Sequence, residues 1–288
     1  MTESSEFIAG DCLSSSAKTS SLAAAVFQQF YKAVMEDLQT YNPPSKRHEV
    51  LSKAYTNMLS RLHEQVSGML VCLATKNEPS AETLARTVLE TSVNLSFMLQ
   101  GDRERAFFGY CEEWFSSHER QLNKWLEYET ELKEKAGNIP KIQSRKELLE
   151  GQRLIIDHLV SSLGMNRAKN FRDAYPKSLF ERFKRIGEEG QYFTSCHRLS
   201  NSSHVMAGDT ISWLVVSMFG DHKAFVAWSA ESVAYSQMMC LIALVKAVEA
   251  IGIFAIAHNC IGSSELVENC RGVLIAEIEK LSNSAGVP

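Results

Sequence analysis

The stretch that decides the fold is SAETLARTVLETSVNLSFMLQ, residues 80–100. At 100° per residue, one side of a helix collects four large apolar side chains, from Leu84, Val88, Leu95 and Leu99. Other apolar residues widen this face over most of the circumference, and a helix that is apolar over so wide an arc is buried. The stretch therefore predicts a core helix over 80–99.

The same helical spacing of apolar residues continues along nearly the whole chain, and no segment shows the alternation of a half-buried strand. The predicted helices cover 20–40, 46–74, 80–99, 103–136, 144–163, 177–187, 190–206, 210–219, 223–258 and 263–282. The prolines fall in the predicted gaps, at Pro43, Pro44, Pro79, Pro140 and Pro176. We expect an all-α bundle of about eight to ten helices.

The domain organisation follows from this pattern. Residues 1–20 are rich in Ser and lack the basic and apolar regions of a signal peptide, so we expect a disordered N-terminal tail. Residues 21–288 are expected to form a single all-helical domain. Within it, chemistry-bearing motifs lie at about 50–210, and apolar C-terminal helices occupy 210–282.

Composition narrows the classes of protein that remain. The 288 residues include 30 Lys and Arg against 34 Asp and Glu, a net charge of −4, which excludes a wholly basic surface. The seven cysteines are widely spaced without a CxxC pair, so neither a disulfide framework nor a zinc ribbon is predicted. We expect a cytoplasmic protein without a metal or cofactor.

One segment, MMCLIALVKAVEAIGIFAIA at residues 238–257, is as long as a membrane span. It contains Lys246 and Glu249, and each charge is costly at the centre of a bilayer. We interpret it as the core helix of a soluble protein, with this pair on its exposed edge. Membrane attachment is the less favoured alternative.

Positive charge is concentrated at residues 141–185, which hold eleven basic and five acidic residues. A basic strip on an acidic protein is suited to hold phosphate or RNA. The alternative, which we favour, is an ordinary solvated helical face.

Two charged residues interrupt the apolar arc of the helix over 80–99. Arg86 projects between Val93 and Phe97, and Glu90 follows one turn later. A buried arginine must be paired, so we predict an Arg86–Glu90 ion pair completed by a third group from another helix. The pair either fixes helix register or belongs to a functional site.

The second unusual segment is EEGQYFTSCHRLSNSSHVMAGD, residues 188–209. His197 and His204 share one helical face with Asn201 between them, but seven residues place them about 10.5 Å apart along the axis. They therefore do not share a metal ion. Ser and Asn are poor residues for a helix interior, and such local conflicts tend to mark functional sites.

These two segments resemble a mostly bacterial family of all-helical proteins of unknown function, DUF5677. The resemblance rests on residues 85–94, ARTVLETSVN, and on residues 199–204, LSNSSH, and it covers about residues 50–210. It implies that Arg86, Glu90, Ser200 and His204 converge, but it implies no reaction.

A more distant likeness is to small helical ribonucleases of the higher-eukaryote-and-prokaryote nucleotide-binding (HEPN) class, which carry an Arg followed by a His. Here Arg198 and His204 are separated by five residues. In that chemistry a His is general base on a ribose 2′-hydroxyl and an Arg stabilises charge on the phosphate. The likeness implies catalytic Arg198 and His204. From the two unusual segments themselves we expect a pocket for a nucleic acid or nucleotide, lined by Arg86, Glu90, His197, Ser200 and Asn201.

The sequence leaves two functions open. One is a metal-independent ribonuclease or nucleotide-binding protein of a stress or phage-defence system, acting on RNA or a nucleotide. The other is a non-catalytic interaction module that forms a homo-oligomer through the apolar helix over 223–258.

Overall fold

A computed structural model of the protein describes residues 3–131, 137–164, 171–196, 199–200, 207–220, 222–260 and 263–285. These residues form ten α-helices and no strand, as predicted. The helices are α1 (Glu3–Gln39), α2 (Lys46–Ala74), α3 (Glu78–Gln100), α4 (Arg103–Glu131), α5 (Ile139–Ser162), α6 (Leu179–Arg185), α7 (Glu189–Gln191), α8 (Ala207–Phe219), α9 (His222–Ala257) and α10 (Ser263–Ala285).

The helix over 80–99 lies at the centre, as its wide apolar face predicts. As α3 it packs against α2 and α9, and α9 also packs against α1 and α10. One hydrophobic cluster extends from Ala23 on α1 to Leu281 on α10. Fully burying a Leu, Val or Phe side chain contributes about 1.5–3 kcal/mol, so this shared interior is the main source of stability.

Two helices begin earlier than the prolines suggest. Pro79 and Pro140 were expected in gaps, but each lies in the first turn of its helix, after Asn77 and Asn138. The prediction was wrong because the first turn has no intrahelical partner for its N–H groups, so it tolerates the missing proline N–H. Only the helix interior excludes proline.

A helical hairpin of α4 and α5 forms a second layer, held by a 3₁₀ turn at Phe171–Ala174. Phe108, Val160 and Phe171 make a small buried cluster there. Gly109 allows the close approach, because a Cβ at this position would lie 2.5 Å from the Phe171 carbonyl oxygen.

Thr19 and Ser20 of α1 are both buried. The Thr19 hydroxyl donates a hydrogen bond to Glu277 Oε1 of α10 at 3.1 Å. These are the last two residues of the predicted tail, so the end of that stretch is packed against α10.

Among the described residues, one helix is long and apolar enough to cross a membrane, at Lys223–Ala257. In its most apolar window, 78% of the residues are buried inside the protein. Burial of this extent agrees with our interpretation of residues 238–257 as a core helix.

Candidate functional site

The predicted ion pair on α3 is present. Arg86 Nε lies 2.9 Å from Glu90 Oε1. The side chains are 30% and 36% exposed, so the expectation of a buried arginine was wrong. The neighbouring residues Ala85 and Leu89 of α3 are buried, but the side chains of Arg86 and Glu90 are long enough for their charged ends to reach water. The predicted third group stays a prediction.

A π-helical turn at Tyr192–Cys196 packs against α3. Sequence spacing predicts a regular helix over 190–206, but α7 ends at Gln191 and the chain continues with the wider π geometry. Beyond this turn the buried Leu199 anchors the chain, and the Ser200 hydroxyl donates to the Cys196 carbonyl at 2.9 Å. Single π turns inside helices often lie at functional sites.

The charges that act on the Cys196 thiol include both members of the Arg86–Glu90 pair of α3. Burial raises the pKa of the Cys196 thiol to about 11, the Glu90 carboxylate raises this pKa further, and Arg86 and Arg182 oppose the rise. The π turn that carries Cys196 and the helix α6 that carries Arg182 both pack against α3, and the Ser200 hydroxyl is bonded to the Cys196 carbonyl. We call this set, Arg86, Glu90, Arg182, Cys196 and Ser200, the α3 junction.

Arg182 of α6 was assigned only to the basic strip, and its place in the junction was not predicted. Its guanidinium lies 4.8 Å from the centre of the Tyr175 ring, and its Nη1 donates to the Pro176 carbonyl at 2.8 Å. Its Nε is buried and has no hydrogen-bond partner among the described residues. Burial raises the pKa of Tyr175, which stays a neutral aromatic surface for this cation. No local sequence signal separates Arg182 from its basic neighbours.

The remainder of the basic strip includes cations used for packing. Arg145 stacks on Trp125 and Arg153 on Phe115, each at 5.4 Å from the ring centre. Lys177 lies 4.0 Å from Glu113. These contacts support the favoured interpretation of the α5 part of the strip as a helical face with structural pairs.

A cleft of about 430 Å³ opens between α4 and α5. Its lining includes Trp114, His118, Trp125 and Arg145, and the Trp114 and His118 rings are 4.1 Å apart. Trp114 lies one turn after Tyr110 on α4, and the Tyr110 ring is 5.3 Å from the ring of Tyr175, which Arg182 contacts. Aromatic and guanidinium planes of this kind are surfaces on which nucleobases stack.

A larger cleft, of about 610 Å³, surrounds Lys246. Only 8% of the Lys246 side chain is exposed, and its Nζ contacts Glu188 at 2.8 Å and also Glu249. The expectation that the Lys246–Glu249 pair lies on an exposed edge was wrong, because residues just before α7 cover it. Glu188 is 58 residues away in sequence, so its part in the pair had no local signal.

Ser92, Val93 and Ser96 of α3 form one wall of this Lys246 cleft, opposite Arg271 of α10. The cleft and the junction therefore share α3 and the chain from Glu188 to Ser200. In the described part of the chain, no group of three or more His, Cys, Asp or Glu side chains is arranged to hold a metal ion.

The remaining predicted site residues, His197, Arg198, Asn201 and His204, lie outside the described residues. Their roles stay predictions. In the sequence, these four residues follow the π turn and lie on either side of Leu199 and Ser200.

Comparison with known proteins gives a family and no activity. Residues 53–217 match the model of the family of unknown function DUF5677, close to the 50–210 expected from the two motifs. No curated protein and no solved structure matches the chain, and the HEPN-like likeness finds no support in these comparisons. Because the match covers more than half of its residues, the chain belongs to the DUF5677 family.

Proposed function

We propose that this protein binds RNA or a nucleotide phosphate at the α3 junction. The observation that carries the proposal is that α3, which bears Arg86, packs against both α6, which bears Arg182, and the π turn, which bears the buried Cys196. A pair of arginines is suited to a phosphate because each presents several N–H donors in a fixed plane. The cleft between α4 and α5, with Trp114 and Trp125, offers stacking surfaces for bases.

The proposed reaction is metal-independent cleavage of RNA by the segment that follows the π turn. His204 accepts the proton of a ribose 2′-hydroxyl, and the 2′-oxygen attacks the adjacent phosphorus. The bond from phosphorus to the 5′-oxygen breaks, this oxygen takes a proton from water, and His204 returns its proton to the hydroxide that remains. Arg198 stabilises the charge that develops on the phosphate. The products carry a 2′,3′-cyclic phosphate and a 5′-hydroxyl.

The other predicted pocket residues orient these groups. His197 and Asn201 flank the buried Leu199 in sequence and contact the bound nucleotide. Ser200 donates to the Cys196 carbonyl, which fixes the start of the segment on α3. The ion pair with Glu90 holds Arg86 in place.

We infer a cytoplasmic location. The six described cysteines are free thiols, and four of them are buried. Buried thiols without disulfide partners are typical of proteins in reducing compartments.

The test of cleavage uses end-labelled single-stranded and stem-loop RNA in the presence of EDTA. We expect the wild type to release 2′,3′-cyclic phosphate ends, and His204→Ala and Arg198→Ala to lose cleavage while keeping the circular dichroism spectrum of the wild type. Absence of cleavage by the folded wild type would reject the ribonuclease and favour the interaction module.

Binding is tested separately by fluorescence anisotropy with labelled RNA. We expect Arg86→Gln and Arg182→Gln to weaken binding about tenfold or more, the effect of losing a charged hydrogen-bond donor. Arg61→Gln is the matched control, because Arg61 is an exposed arginine of α2 paired with Glu64. Equal affinity of all three variants and the wild type would reject the junction as the phosphate site.

A further inference from the structure

The helix α8 is the least covered element among those described. It contains one charged residue, Asp209, and no Lys or Arg. Its large apolar side chains are nevertheless exposed to solvent: Ile211, Trp213, Leu214, Val215, Met218 and Phe219. At 100° per residue all of them except Trp213 lie within an arc of about 140°, and Trp213 lies on the opposite side. An apolar arc of this width on a helix normally faces the interior of a protein.

The described part of the chain provides little cover for this helix. Within the described residues, α8 packs mainly against α9. The first turns of α9 are also partly uncovered, and Phe225 is 38% exposed. Phe219 at the end of α8 is 82% exposed, the largest exposure of any large apolar side chain described. We call the apolar surface of α8 together with Phe225 the α8 face.

The size of the α8 face is that of a protein interface. Without Trp213, its six large apolar side chains are 38–82% exposed, and side chains of this size present roughly 150 Å² each when free, the lower end of the aromatic range. The face therefore offers on the order of 500 Å² per chain, so that two copies reach the ~1,000 Å² in total that a specific interface requires. Monomeric proteins rarely leave a contiguous patch of this size open.

The chemistry of the α8 face distinguishes between its possible occupants. Helices that lie on membranes carry Lys and Arg along a polar face, and α8 has neither. Its 13 residues extend only about 20 Å at 1.5 Å per residue, which is shorter than the ~30 Å core of a bilayer. Trp, Phe and Met are the residue types enriched in protein interfaces.

We propose that the α8 face is the interface with a second copy of this chain. The hairpins of α8 and the start of α9 from two protomers pair about a twofold axis, so that each α8 is covered by the partner. This inference is independent of the ribonuclease. It also replaces the predicted dimer surface along 223–258, because the second half of α9, including Leu244, Ile251 and Phe254, is fully buried within one chain.

The test is the molar mass of the full-length protein in solution, measured by light scattering and sedimentation over a wide range of concentrations. We expect the wild type to be a dimer. Phe219→Glu and Met218→Glu should each raise the dissociation constant of the dimer about thirtyfold, the factor for losing a hot spot of about 2 kcal/mol. Phe219→Leu keeps an apolar side chain and should remain a dimer.

A matched control lies on α5, where Leu154 and Ile155 are each 68% exposed. Leu154→Glu and Ile155→Glu should leave the dimer unchanged. A monomeric wild type, or a dimer insensitive to the α8 substitutions, would overturn the proposal. So would loss of the dimer in the α5 variants as well, because it would show unspecific apolar association.

Membrane binding is tested with vesicles of neutral and anionic phospholipid in a flotation assay. We expect the wild type to stay with the soluble fraction. Flotation that is abolished by Phe219→Glu would overturn the proposal and assign the α8 face to a bilayer. Circular dichroism of each variant identifies unfolding, and Phe219→Leu then reports on the face with the fold intact.

Discussion

Lys246 Nζ lies 2.8 Å from Glu188 Oε1, which ties the core helix α9 to the chain just before α7. The same ammonium contacts Glu249, and Arg271 of α10 lies 3.1 Å from the other oxygen of Glu249. Two cations and two carboxylates thus connect three parts of the fold around one cleft. Because α7 leads directly into the π turn, this network also fixes one end of the segment that forms the α3 junction.

Removal of Lys246 is expected to be strongly destabilising. Lys246→Met leaves two carboxylates near each other in a site where only 8% of the lysine side chain is exposed. Breaking a buried ion pair by deleting one partner costs about 3–5 kcal/mol. Urea denaturation followed by circular dichroism measures the free energy of unfolding.

The control for this variant is Lys32→Met, which removes an exposed pair with Glu36. That change should cost less than about 1 kcal/mol. Equal effects of the two substitutions would show that the Lys246 network contributes no more than a surface pair.

The close contact at Gly109 gives a second prediction. A Cβ there would lie 2.5 Å from the Phe171 carbonyl oxygen and 3.0 Å from Tyr175 Cβ, so Gly109→Ala must displace backbone. We expect a loss of about 1–3 kcal/mol in the free energy of unfolding, the usual cost of overpacking. Differential scanning calorimetry would record it as a lower Tm.

Gly151→Ala is the matched control for Gly109→Ala. Gly151 lies inside α5 with nothing within 4 Å of a built Cβ, and Ala is the better helix former by roughly 1 kcal/mol. Gly151→Ala should therefore stabilise the protein. A neutral Gly109→Ala would indicate that the 3₁₀ turn at Phe171–Ala174 moves freely away from α4.

Most of the fold was predictable from periodicity. The spacing of apolar residues identified every described long helix, and α2 at Lys46–Ala74 matches its predicted range. This works because a helix that packs on one side repeats its apolar residues every three or four positions. The positions of Pro79 and Pro140 were missed because the first turn of a helix tolerates proline. The π turn was missed because one extra residue in a single turn does not visibly change the spacing of the apolar residues.

The candidate site was predictable only where its contacts are local. The Arg86–Glu90 pair lies within one turn of α3, so spacing alone identified it. Arg182 and Glu188 reach the site by tertiary packing, which no single segment encodes. Exposure was also misjudged in both directions, because Arg86 extends to solvent from an interior helix while Lys246 is covered from elsewhere.

Two substitutions on α3 distinguish a structural role of the Arg86–Glu90 pair from a role in ligand binding. Arg86→Gln should cost less than about 1 kcal/mol in unfolding free energy, since both charges are about one-third exposed. Leu89→Ala on the same helix should cost about 2–5 kcal/mol, because Leu89 is fully buried. Chemical denaturation compares them. A loss of 3 kcal/mol or more for Arg86→Gln, with RNA affinity unchanged, would make the pair a structural element and not a ligand site.

Thiol accessibility gives a prediction about the junction. Burial raises the pKa of Cys196 to about 11, so this thiol is protonated at neutral pH and reacts slowly with iodoacetamide. We expect mass spectrometry to find Cys196 unmodified in the native protein and modified in urea. Lys246→Met should speed the reaction, because it releases the chain near Glu188 that leads into the π turn. Rapid native labelling of Cys196 would contradict the packing of the π turn on α3.

His258 makes the stability of the fold depend on pH. Its ring is buried between Phe254 and Tyr41, and Nδ1 donates to the Phe254 carbonyl at 2.8 Å. Burial lowers the pKa of His258 from 6.5, the nearby Arg103 lowers it further, and the hydrogen bond to Phe254 opposes them. Folding therefore favours the neutral ring.

The sign follows from proton linkage. Below about pH 6.5 the unfolded chain binds a proton at His258 that the folded chain does not, so the free energy of unfolding falls as the pH falls. Burial also lowers the pKa of His63, which adds a change of the same sign. We expect urea midpoints to decrease between about pH 7.5 and 5.5, and His258→Gln to flatten that decrease. His158→Gln, at an exposed histidine of α5, is the matched control. An unaltered slope in His258→Gln would show that the His258 ring protonates as readily when folded as when unfolded.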